Sequence, residues 1–297
     1  MKGGCVYLLC LVVLNYNDSD TVIRFVESII DYIAIDVIIV VDNCSTDNSY
    51  ERLQNLKYEK IAVIRTKRNG GYGYGNNVGI KVAIEKYSAD YIIICNPDVK
   101  FTEKVVISCR DFLIENPGAA VVSPMMLNAK KEKQEKCVWK VPSGRQYLLF
   151  SLLIGRYFFD IYYKSLNDNT NPYLEVGCVA GSMLMVNSRH MLNSGMYDER
   201  IFLYCEETVL GIKFKNAGLK SYLLLEESFI HYHSVSISKS INSIIKQKKI
   251  MWESRIYILE HYYNFNRFEL FCANFIKYIS LCEAKMLLLI RKYKKVD

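Results

Sequence analysis

The sequence predicts an α/β protein with a mainly parallel, doubly wound sheet and a C-terminal helical extension. In the first half of the chain, short apolar runs rich in Val and Ile alternate with longer amphipathic stretches, a pattern typical of strands joined by crossover helices. Polar clusters directly follow several of the apolar runs, as expected at strand ends. The tail, Phe265–Lys295, keeps a long helical pattern.

Each predicted element has its own signal. Apolar runs bounded by polar residues predict strands at Val6–Leu14, Val37–Val41, Ile61–Arg65, Tyr91–Cys95, Ala119–Val122 and Val179–Val186. Apolar residues at helical spacing predict helices at Thr21–Ile33, Thr46–Leu56, Asn76–Tyr87, Thr102–Glu115 and Glu206–Asn216. Ligands of open α/β sheets bind beyond the carboxyl ends of the strands, so we expect the site there.

Composition narrows the function classes. Apolar residues make up 51% of the chain and charged residues 23%, which excludes global disorder. The net charge of +7 is mild, so it does not indicate a dedicated nucleic-acid binder. Ten cysteines are scattered without a C-x-x-C pair, and several fall in apolar runs. We therefore expect a reducing, cytosolic compartment.

Three apolar segments raise the question of membrane contact. The run after Lys2 lacks a small-residue cleavage site, which favours a strand over a signal peptide. No window of about 18 uncharged apolar residues occurs, so we expect no membrane span. Tyr147–Tyr163 and the tail, which ends in a basic cluster, are each consistent with an interfacial helix on anionic lipid or with a helix packed on the domain.

Three polar clusters follow predicted strands: Asn15-Tyr16-Asn17, residues 42–47 and Asn96-Pro97-Asp98. Asp98 at a strand end is suited to hold Mg²⁺ or Mn²⁺ that also bridges phosphate oxygens. Asp42 is suited to accept a hydrogen bond from a base N–H. The same residue types are common in plain turns and helix caps, so each cluster alone leaves both interpretations open.

A glycine-rich segment, residues 69–77, lies between a predicted strand and a predicted helix. Glycines in this position let backbone N–H groups approach phosphate closely. The spacing does not match the dinucleotide fingerprint, because Asn76 and Val78 stand where it requires glycine, and Gly-Lys-Ser/Thr is absent. Nicotinamide and P-loop functions are therefore disfavoured.

Glu206-Glu207 and the nearby histidines His231 and His233 are the remaining candidates. Adjacent acids on a helix point in different directions, so one can face a cleft as a general base, whereas the plain alternative is a charge-stabilised helix N-terminus. The two histidines share a face of an extended segment, which would suit a metal ligand.

Taken in order, these pieces resemble the family 2 inverting glycosyltransferases of the GT-A fold, most closely the bacterial rhamnosyltransferase-like branch that builds O-antigen and capsular polysaccharide. The resemblance runs from about Leu11 to Ser236. The matching segments are Val12–Asn17, Val41–Asp47, Asn69–Asn77, Asn96–Asp98, Ala180–Ser182, Phe202–Glu207 and His231. We therefore expect a GT-A domain over residues 1–240 and an amphipathic helical extension over residues 241–297.

The resemblance implies a role for each matching position. The implied donor-binding residues are Tyr16, Asn17, Asp42, Asn69, Gly71, Asn77, Asn96 and Asp98. The implied acceptor-side residues are Gly181, Ser182 and Glu206. The implied ligands of Mn²⁺ or Mg²⁺ are Asp98 and His231, and the implied catalytic base is Glu207.

Three positions depart from the family pattern. Asn96 replaces the first acid of the Asp-x-Asp motif, which leaves one carboxylate for the metal. The Glu-Asp pair has become Glu206-Glu207, and Val209 stands where a further acid is usual. Because misplacing a base by about 1 Å can cost on the order of 100-fold in rate, these departures keep open a nucleotide-sugar-binding protein without transferase activity.

The implied reaction moves one sugar from a nucleotide-diphosphate donor, dTDP-rhamnose or a UDP-hexose, to a saccharide acceptor. The Gln-x-x-Arg-Trp segment of processive synthases is absent, which favours addition of single residues. We expect a polyprenyl-diphosphate-linked acceptor, an anionic membrane surface as a further partner, no nucleic acid, and a cytoplasmic location on the inner face of the cell membrane. A nucleotidyltransferase is disfavoured because no basic glycine-rich loop lies near the N-terminus.

Overall fold

The computed structural model of the protein describes residues 7–163, 166, 171–232 and 244–293. The strands are β1 (Leu9–Asn15), β2 (Val37–Asp42), β3 (Ile61–Arg65), β4 (Tyr91–Cys95), β5 (Val99–Lys100), β6 (Ala119–Leu127), β7 (Val138–Trp139), β8 (Tyr173–Val176), β9 (Cys178–Val179), β10 (Met183–Asn187) and β11 (Lys220–His231). The helices are α1 (Ser19–Ile29), α2 (Ser49–Leu53), α3 (Gly71–Glu85), α4 (Glu103–Glu115), α5 (Gly144–Leu149), α6 (Leu153–Phe158), α7 (Ser188–Asn193), α8 (Glu206–Asn216), α9 (Ile244–His261) and α10 (Arg267–Tyr293).

Most of the strands form one mixed sheet in the order β3-β2-β1-β4-β10-β6-β11-β5, and β8 pairs with β11 on its other side. The first four strands of this order are parallel, while β10 runs antiparallel to both of its neighbours. In the centre, the buried strands are nearly continuous runs of Val and Ile, as expected when helices cover both faces. The predicted doubly wound α/β architecture is confirmed.

Several predicted elements differ from the structure in their bounds; the helix expected over Thr46–Leu56, for example, covers only Ser49–Leu53. Two of the differences involve glycine. The predicted strand Val179–Val186 is divided into β9 and β10 by the turn Ala180-Gly181-Ser182, which interrupts the pairing next to the carboxyl end of β4. The helix predicted to begin at Asn76 begins at Gly71, so most of the glycine-rich segment is helical. Sequence patterns miss both because glycine weakens strand and helix signals alike.

The C-terminal helices pack on the α/β domain. Lys248, near the start of α9, contacts Ser280 in the second half of α10, so the two helices run antiparallel. They share a second apolar core with α5, α8 and the loop before α8, formed by Tyr147, Leu148, Ile201, Val209, Trp252, Ile258, Leu259 and Ala273. The domain boundary expected at residue 240 falls in 233–243, outside the described residues, and stays a prediction.

One face of this helical region exposes large apolar side chains. In α6 they are Leu153, Ile154, Tyr157 and Phe158, and in α10 they are Phe268, Phe271, Phe275, Tyr278, Met286, Leu289 and Ile290. The α10 residues recur at helical spacing, so they form a stripe rather than scattered exposures. Within the described ranges, no helix has the length and apolarity needed to cross a membrane. The N-terminal residues 1–6 and the side chains of the basic end, 291–297, lie outside the described residues.

Candidate active site

The polar clusters meet at one edge of the sheet, as the parallel order of β2, β1 and β4 requires. Asn15 at the end of β1 lies opposite Asp42 at the end of β2, and Val13 lies opposite Cys95 at the end of β4. The segments that follow these strands are therefore neighbours in space. This edge is where the chain places its candidate ligand-binding residues.

Asp42 organises the base-side half of this edge. Its side chain is fully buried and accepts hydrogen bonds from Asn15 Nδ2 at 2.9 Å and from the Ser45 amide and hydroxyl at 3.0 and 2.5 Å. The Arg65 Nε lies 3.6 Å from it. This carboxylate is satisfied by protein donors, so its direct contact with a base stays a prediction and its visible role is to fix the turn after β2.

Tyr16 and Asn17 form the exposed rim of the same pocket. Tyr16 is half-buried, and Asn17 adopts a left-handed backbone conformation with φ of 53°. The Asn17 side chain exchanges two hydrogen bonds with Thr46, at 3.0 and 2.8 Å. The turn after β1 is therefore linked to the turn after β2, and polar groups of both turns lie close to Asp42.

The glycine-rich segment packs against protein instead of forming an open cradle. A Cβ on Gly71, which has φ of +88°, would lie 1.9 Å from the Phe202 carbonyl oxygen. Asn77 is buried, and its amide exchanges hydrogen bonds with the Tyr197 backbone at 3.0 and 3.1 Å. Asn69 accepts from the Asn43 amide and from the Gly71 N–H, both at 3.1 Å. Gly71 and Asn77 are thus held by protein contacts where the loop before α8 packs on this end of α3, and their contact with a donor stays a prediction.

Asp98 and His231 lie side by side, as the implied metal site requires. The short strand β5 pairs with the end of β11, which brings His231 Nε2 to 3.2 Å from Asp98 Oδ1. Both side chains are about nine-tenths buried. Among the described residues no group of three or more His, Cys, Asp or Glu side chains forms a metal cage. His233 lies outside the described residues.

This pair fits a divalent ion that takes its other ligands from a substrate. Mg²⁺ and Mn²⁺ accept oxygen ligands, and Mn²⁺ tolerates an imidazole, so one carboxylate and one histidine leave several positions for diphosphate oxygens and water. Asn96, which is half-buried, stands two residues before Asp98 on the same turn. Its uncharged amide cannot supply the negative charge that a carboxylate would bring to a metal ion.

The turn between β9 and β10 connects this pair to the acids of α8. The Asn96 N–H donates to the Ser182 carbonyl at 2.9 Å, and the Gly181 N–H donates to Glu207 Oε1 at 3.1 Å. A Cβ on Gly181 would lie 2.8 Å from that same carboxylate oxygen, so glycine is needed for the close approach. Ser182 is buried and its hydroxyl lies 3.5 Å from the Met126 sulfur. The segment that carries Asp98 and the side chain of Glu207 therefore both contact one short turn.

Glu206 and Glu207 differ in environment. Glu206 is buried, and its Oε1 has no hydrogen-bond partner among the described residues. Burial, together with the charge of Glu207, raises the pKa of Glu206 well above its usual range. Burial also raises the pKa of Glu207, partly offset by the backbone N–H groups of Glu207 itself and of Gly181. Of the two, Glu206 is the one suited to remain protonated and Glu207 the one suited to titrate.

The backbone before α8 is strained where it presents these acids. Tyr204 and Cys205 are consecutive non-glycine residues with φ of 69° and 73°. Such conformations cost about 1–3 kcal/mol each and persist only where surrounding contacts enforce them. Here the enforcing contacts include the Ser254 hydroxyl of α9, which donates to the Leu203 carbonyl at 2.9 Å.

Sequence analysis missed the residues that hold this loop. Tyr72 donates its hydroxyl to the Gly181 carbonyl at 2.7 Å, and its N–H donates to the Phe202 carbonyl at 3.0 Å. Asp198 is buried and accepts hydrogen bonds from Arg200, Tyr257 and Tyr262. The chain contains 23 tyrosines, but this count does not say which of them hold the loop.

Comparison with known proteins agrees with this architecture. The model of the family described as "Glycosyl transferase family 2" matches residues 10–186. The low-salt glycan biosynthesis hexosyltransferase Agl10 of Haloferax volcanii is 24% identical over 199 residues, which cover 67% of this chain and 59% of that protein. The N-acetylglucosaminyl-diphospho-decaprenol L-rhamnosyltransferase of Mycobacterium tuberculosis is 24% identical over 245 residues, or 78% of each chain.

Solved structures share the fold. The mannosyltransferase PcManGT from Pyrobaculum calidifontis, in complex with GDP-Man and Mn²⁺, superimposes with a TM-score of 0.57 at 9% identity, covering 97% of this chain and 79% of that one. GalNAc-T7 with UDP, GalNAc and Mn²⁺ gives a TM-score of 0.58 at 12% identity, covering 78% of this chain and 45% of that one. These likenesses show the GT-A fold. Since the family model spans more than half of the chain, the protein belongs to glycosyl transferase family 2.

Proposed function

We propose that the protein is an inverting glycosyltransferase that moves one sugar from a nucleotide-diphosphate donor, dTDP-rhamnose or a UDP-hexose, to a lipid-linked saccharide acceptor in cell-surface polysaccharide synthesis. The observation that carries this proposal is the short turn Ala180-Gly181-Ser182. Through Ser182 it contacts Asn96, in the segment that carries Asp98 and its partner His231, and through Gly181 it contacts Glu207. A leaving diphosphate and an incoming hydroxyl need these two chemistries on opposite sides of one sugar.

On the donor side, the nucleotide would lie along the edge formed by Tyr16, Asn17 and the Asp42 turn. Asp98 and His231 would hold Mn²⁺ or Mg²⁺, which when bound neutralises charge on a leaving diphosphate. The ribose would lie against Asn69. Asn96 would contribute an uncharged amide to the same pocket.

On the acceptor side, Glu207 would remove the proton from the attacking hydroxyl. Its Oε1 is positioned by the Gly181 N–H at 3.1 Å, so the carboxylate keeps a second oxygen for the acceptor. The hydroxyl oxygen forms a bond to the anomeric carbon as the bond from that carbon to the diphosphate breaks. One displacement of this kind inverts the anomeric configuration. Glu206, with Ser182, would shape the acceptor side without exchanging a proton.

The acceptor proposal rests on two supports. A relative of this chain is named for an N-acetylglucosaminyl-diphospho-decaprenol acceptor. The exposed apolar stripe of α10 and the exposed apolar side chains of α6 are of the kind that lies on lipid. We therefore propose a peripheral position on the cytoplasmic face of the membrane, with the N-terminal 240 residues as the catalytic unit and the C-terminal helices as the membrane-facing unit.

The test is a transfer assay with dTDP-rhamnose, UDP-hexoses and GDP-mannose, each with a short prenyl-diphosphate-linked sugar as acceptor. We expect release of nucleoside diphosphate with one donor, and a product whose new linkage, read by NMR, has the anomeric configuration opposite to that of the donor. A retained configuration would contradict the single displacement. Nucleotide binding without any product would favour a nucleotide-sugar-binding protein that does not transfer.

A further inference from the structure

Arg255 of α9 is a buried cation that forms no ion pair with any acid among the described residues. Its side chain is 6% exposed, and neither Nε nor Nη1 has a hydrogen-bond partner within the part of the chain that the structure describes. The guanidinium lies 4.6 Å from the centre of the Tyr147 ring and 5.3 Å from that of Trp252. Aromatic ring faces attract a cation but do not act as hydrogen-bond acceptors in the plane of its N–H groups. The N–H groups of this guanidinium therefore keep the capacity to bind an anion.

Two more cations converge on the same place. Lys248 lies seven residues before Arg255, on the same face of α9, and donates to the Ser280 carbonyl at 2.6 Å. Burial lowers the pKa of Lys248; the nearby Arg156 and Arg255 lower it further, and Glu283 opposes them. Arg156 of α6 lies 5.6 Å from the centre of the Phe150 ring. Phe150 is three residues after Tyr147, whose ring contacts Arg255. Lys248 therefore has two guanidinium groups and one carboxylate in its surroundings, a local excess of positive charge.

This cationic cluster adjoins the acids of the site. Cys205, immediately before Glu206, lies close to the guanidinium. Burial raises the pKa of its thiol to about 11, with Arg255 acting in the opposite direction. Ser254, next to Arg255 in the chain, holds the Leu203 carbonyl of the same loop. An anion bound at Arg255 would thus lie next to the loop that presents Glu207.

On its outer side the cluster meets the apolar surface. Glu283 of α10 accepts a hydrogen bond from the Leu153 N–H at 3.3 Å, which joins the start of α6 to α10. The exposed Ile154, Tyr157 and Phe158 therefore continue the apolar stripe of α10 up to Arg156. A buried cationic centre bordered by an exposed apolar path matches an amphiphile that has an anionic head and an isoprenoid chain.

We propose that Arg255, Lys248 and Arg156 form the subsite for the diphosphate of a polyprenyl-diphosphate-linked acceptor. The prenyl chain would run along the apolar side chains of α6 and α10. Arginine and lysine are the side chains that bind phosphate oxygens through charge-assisted hydrogen bonds, and Arg255 has unused donors for them. This inference rests on the proposed function, because it assigns a place to the acceptor's lipid-linked end.

The experiment uses farnesyl diphosphate as the probe and isothermal titration calorimetry as the readout. We expect Lys248→Gln and Arg255→Gln to weaken its binding by about 10-fold or more, and Arg156→Gln to weaken it less because that side chain is exposed. The matched control is Lys249→Gln, an exposed cation in the same helix, which should bind like the wild type. Lys248→Gln keeps the test valid if Arg255→Gln fails to fold.

Two further binding experiments distinguish a prenyl diphosphate from a free phosphate compound and from a lipid headgroup. Inorganic pyrophosphate should bind at the same subsite, more weakly than farnesyl diphosphate because it lacks the apolar chain. Phosphatidylglycerol vesicles without prenyl diphosphate should bind the wild type and Lys248→Gln equally. Equal farnesyl diphosphate affinity in all variants, or loss of vesicle binding in Lys248→Gln alone, would overturn the proposal.

Failure of this subsite and failure of the proposed function give different results. If the subsite is wrong but the function is right, sugar-nucleotide binding and donor turnover persist while the variants leave prenyl diphosphate binding unchanged. If the function is wrong, no donor is turned over, whether or not a sugar nucleotide binds. In the transfer assay the Lys248→Gln enzyme should show a raised KM for the prenyl-linked acceptor and an unchanged KM for the donor.

Discussion

Replacing Glu207 with glutamine is expected to lower the rate of sugar transfer by about 10²–10⁴-fold, because a positioned general base contributes that much and an amide cannot accept the proton. Nucleotide affinity should stay within a few-fold of the wild type, since the donor-side residues lie across the Gly181 turn. Glutamine keeps the shape of the side chain and its acceptor for the Gly181 N–H. Steady-state rates and nucleotide titrations on the same preparation measure both effects.

Glu206→Gln is the matched control for this substitution. The raised pKa of Glu206 keeps its carboxyl protonated, and glutamine resembles a neutral acid, so we expect a loss of only a few-fold. The transfer rate of Gly181→Ala should fall between those of the two glutamine variants. The new Cβ would lie 2.8 Å from Glu207 Oε1 and would push that carboxylate out of position. Turnover retained in Glu207→Gln but lost in Glu206→Gln would assign the base to Glu206 instead.

Because the base works only when ionised, the same geometry sets the pH dependence of transfer. The pKa of Glu207 is raised by burial, so the rate should decline as pH falls through a value above that of an ordinary glutamate.

Replacing Asp198 with alanine is expected to reduce the free energy of unfolding by about 2–4 kcal/mol. The buried carboxylate accepts the hydroxyls of Tyr257 and Tyr262 at 2.9 and 2.8 Å and pairs with the guanidinium of Arg200 at 3.1 Å. Its loss would leave these donors without an acceptor and loosen α9 from the loop that leads to Glu207. Urea unfolding measures the change, and transfer activity should fall with it.

The pH dependence of stability gives an independent check on Asp198. Hydrogen bonds from Arg200 and the two tyrosines lower its pKa despite its burial. A carboxyl whose pKa is lower in the folded state stabilises the protein above its unfolded pKa of about 3.9, and that stability is lost as pH falls below this value. The wild type should lose this increment in acid, while Asp198→Ala should not. Asp31→Asn, at an exposed position, is the control. An unchanged free energy of unfolding in Asp198→Ala would contradict the anchoring role of Asp198.

The sequence predicts the sheet edge well because strand ends are local features. Asn15, Asp42 and Asp98 each follow an apolar run, and parallel pairing brings such ends together without further information. The pairing of His231 with Asp98 could not be derived from spacing, because it depends on the contact between β5 and the end of β11, strands more than a hundred residues apart. Only the family resemblance pointed to it.

The glycine-rich segment shows the opposite case. Glycine permits both close approach to phosphate and close packing of helices, and sequence alone does not distinguish these uses. In the structure Gly75 and Gly79 fit against Leu14 and Val12, and Gly71 against the Phe202 carbonyl. The contacts of α9 were equally hidden, since Ser254 contacts a loop some fifty residues earlier in the chain and Arg255 contacts Tyr147, more than a hundred residues earlier.

We propose that this edge of the sheet binds a nucleotide diphosphate together with a divalent metal. The most direct test is the melting temperature with UDP, dTDP and GDP, each with and without Mn²⁺, in the wild type and in Asp98→Asn. A nucleotide at 100 times its Kd adds about 2.7 kcal/mol, so we expect a rise of about 5 °C with one nucleotide. This rise should need Mn²⁺ and disappear in Asp98→Asn. No rise with any nucleotide, or an equal rise in Asp98→Asn, would contradict the claim.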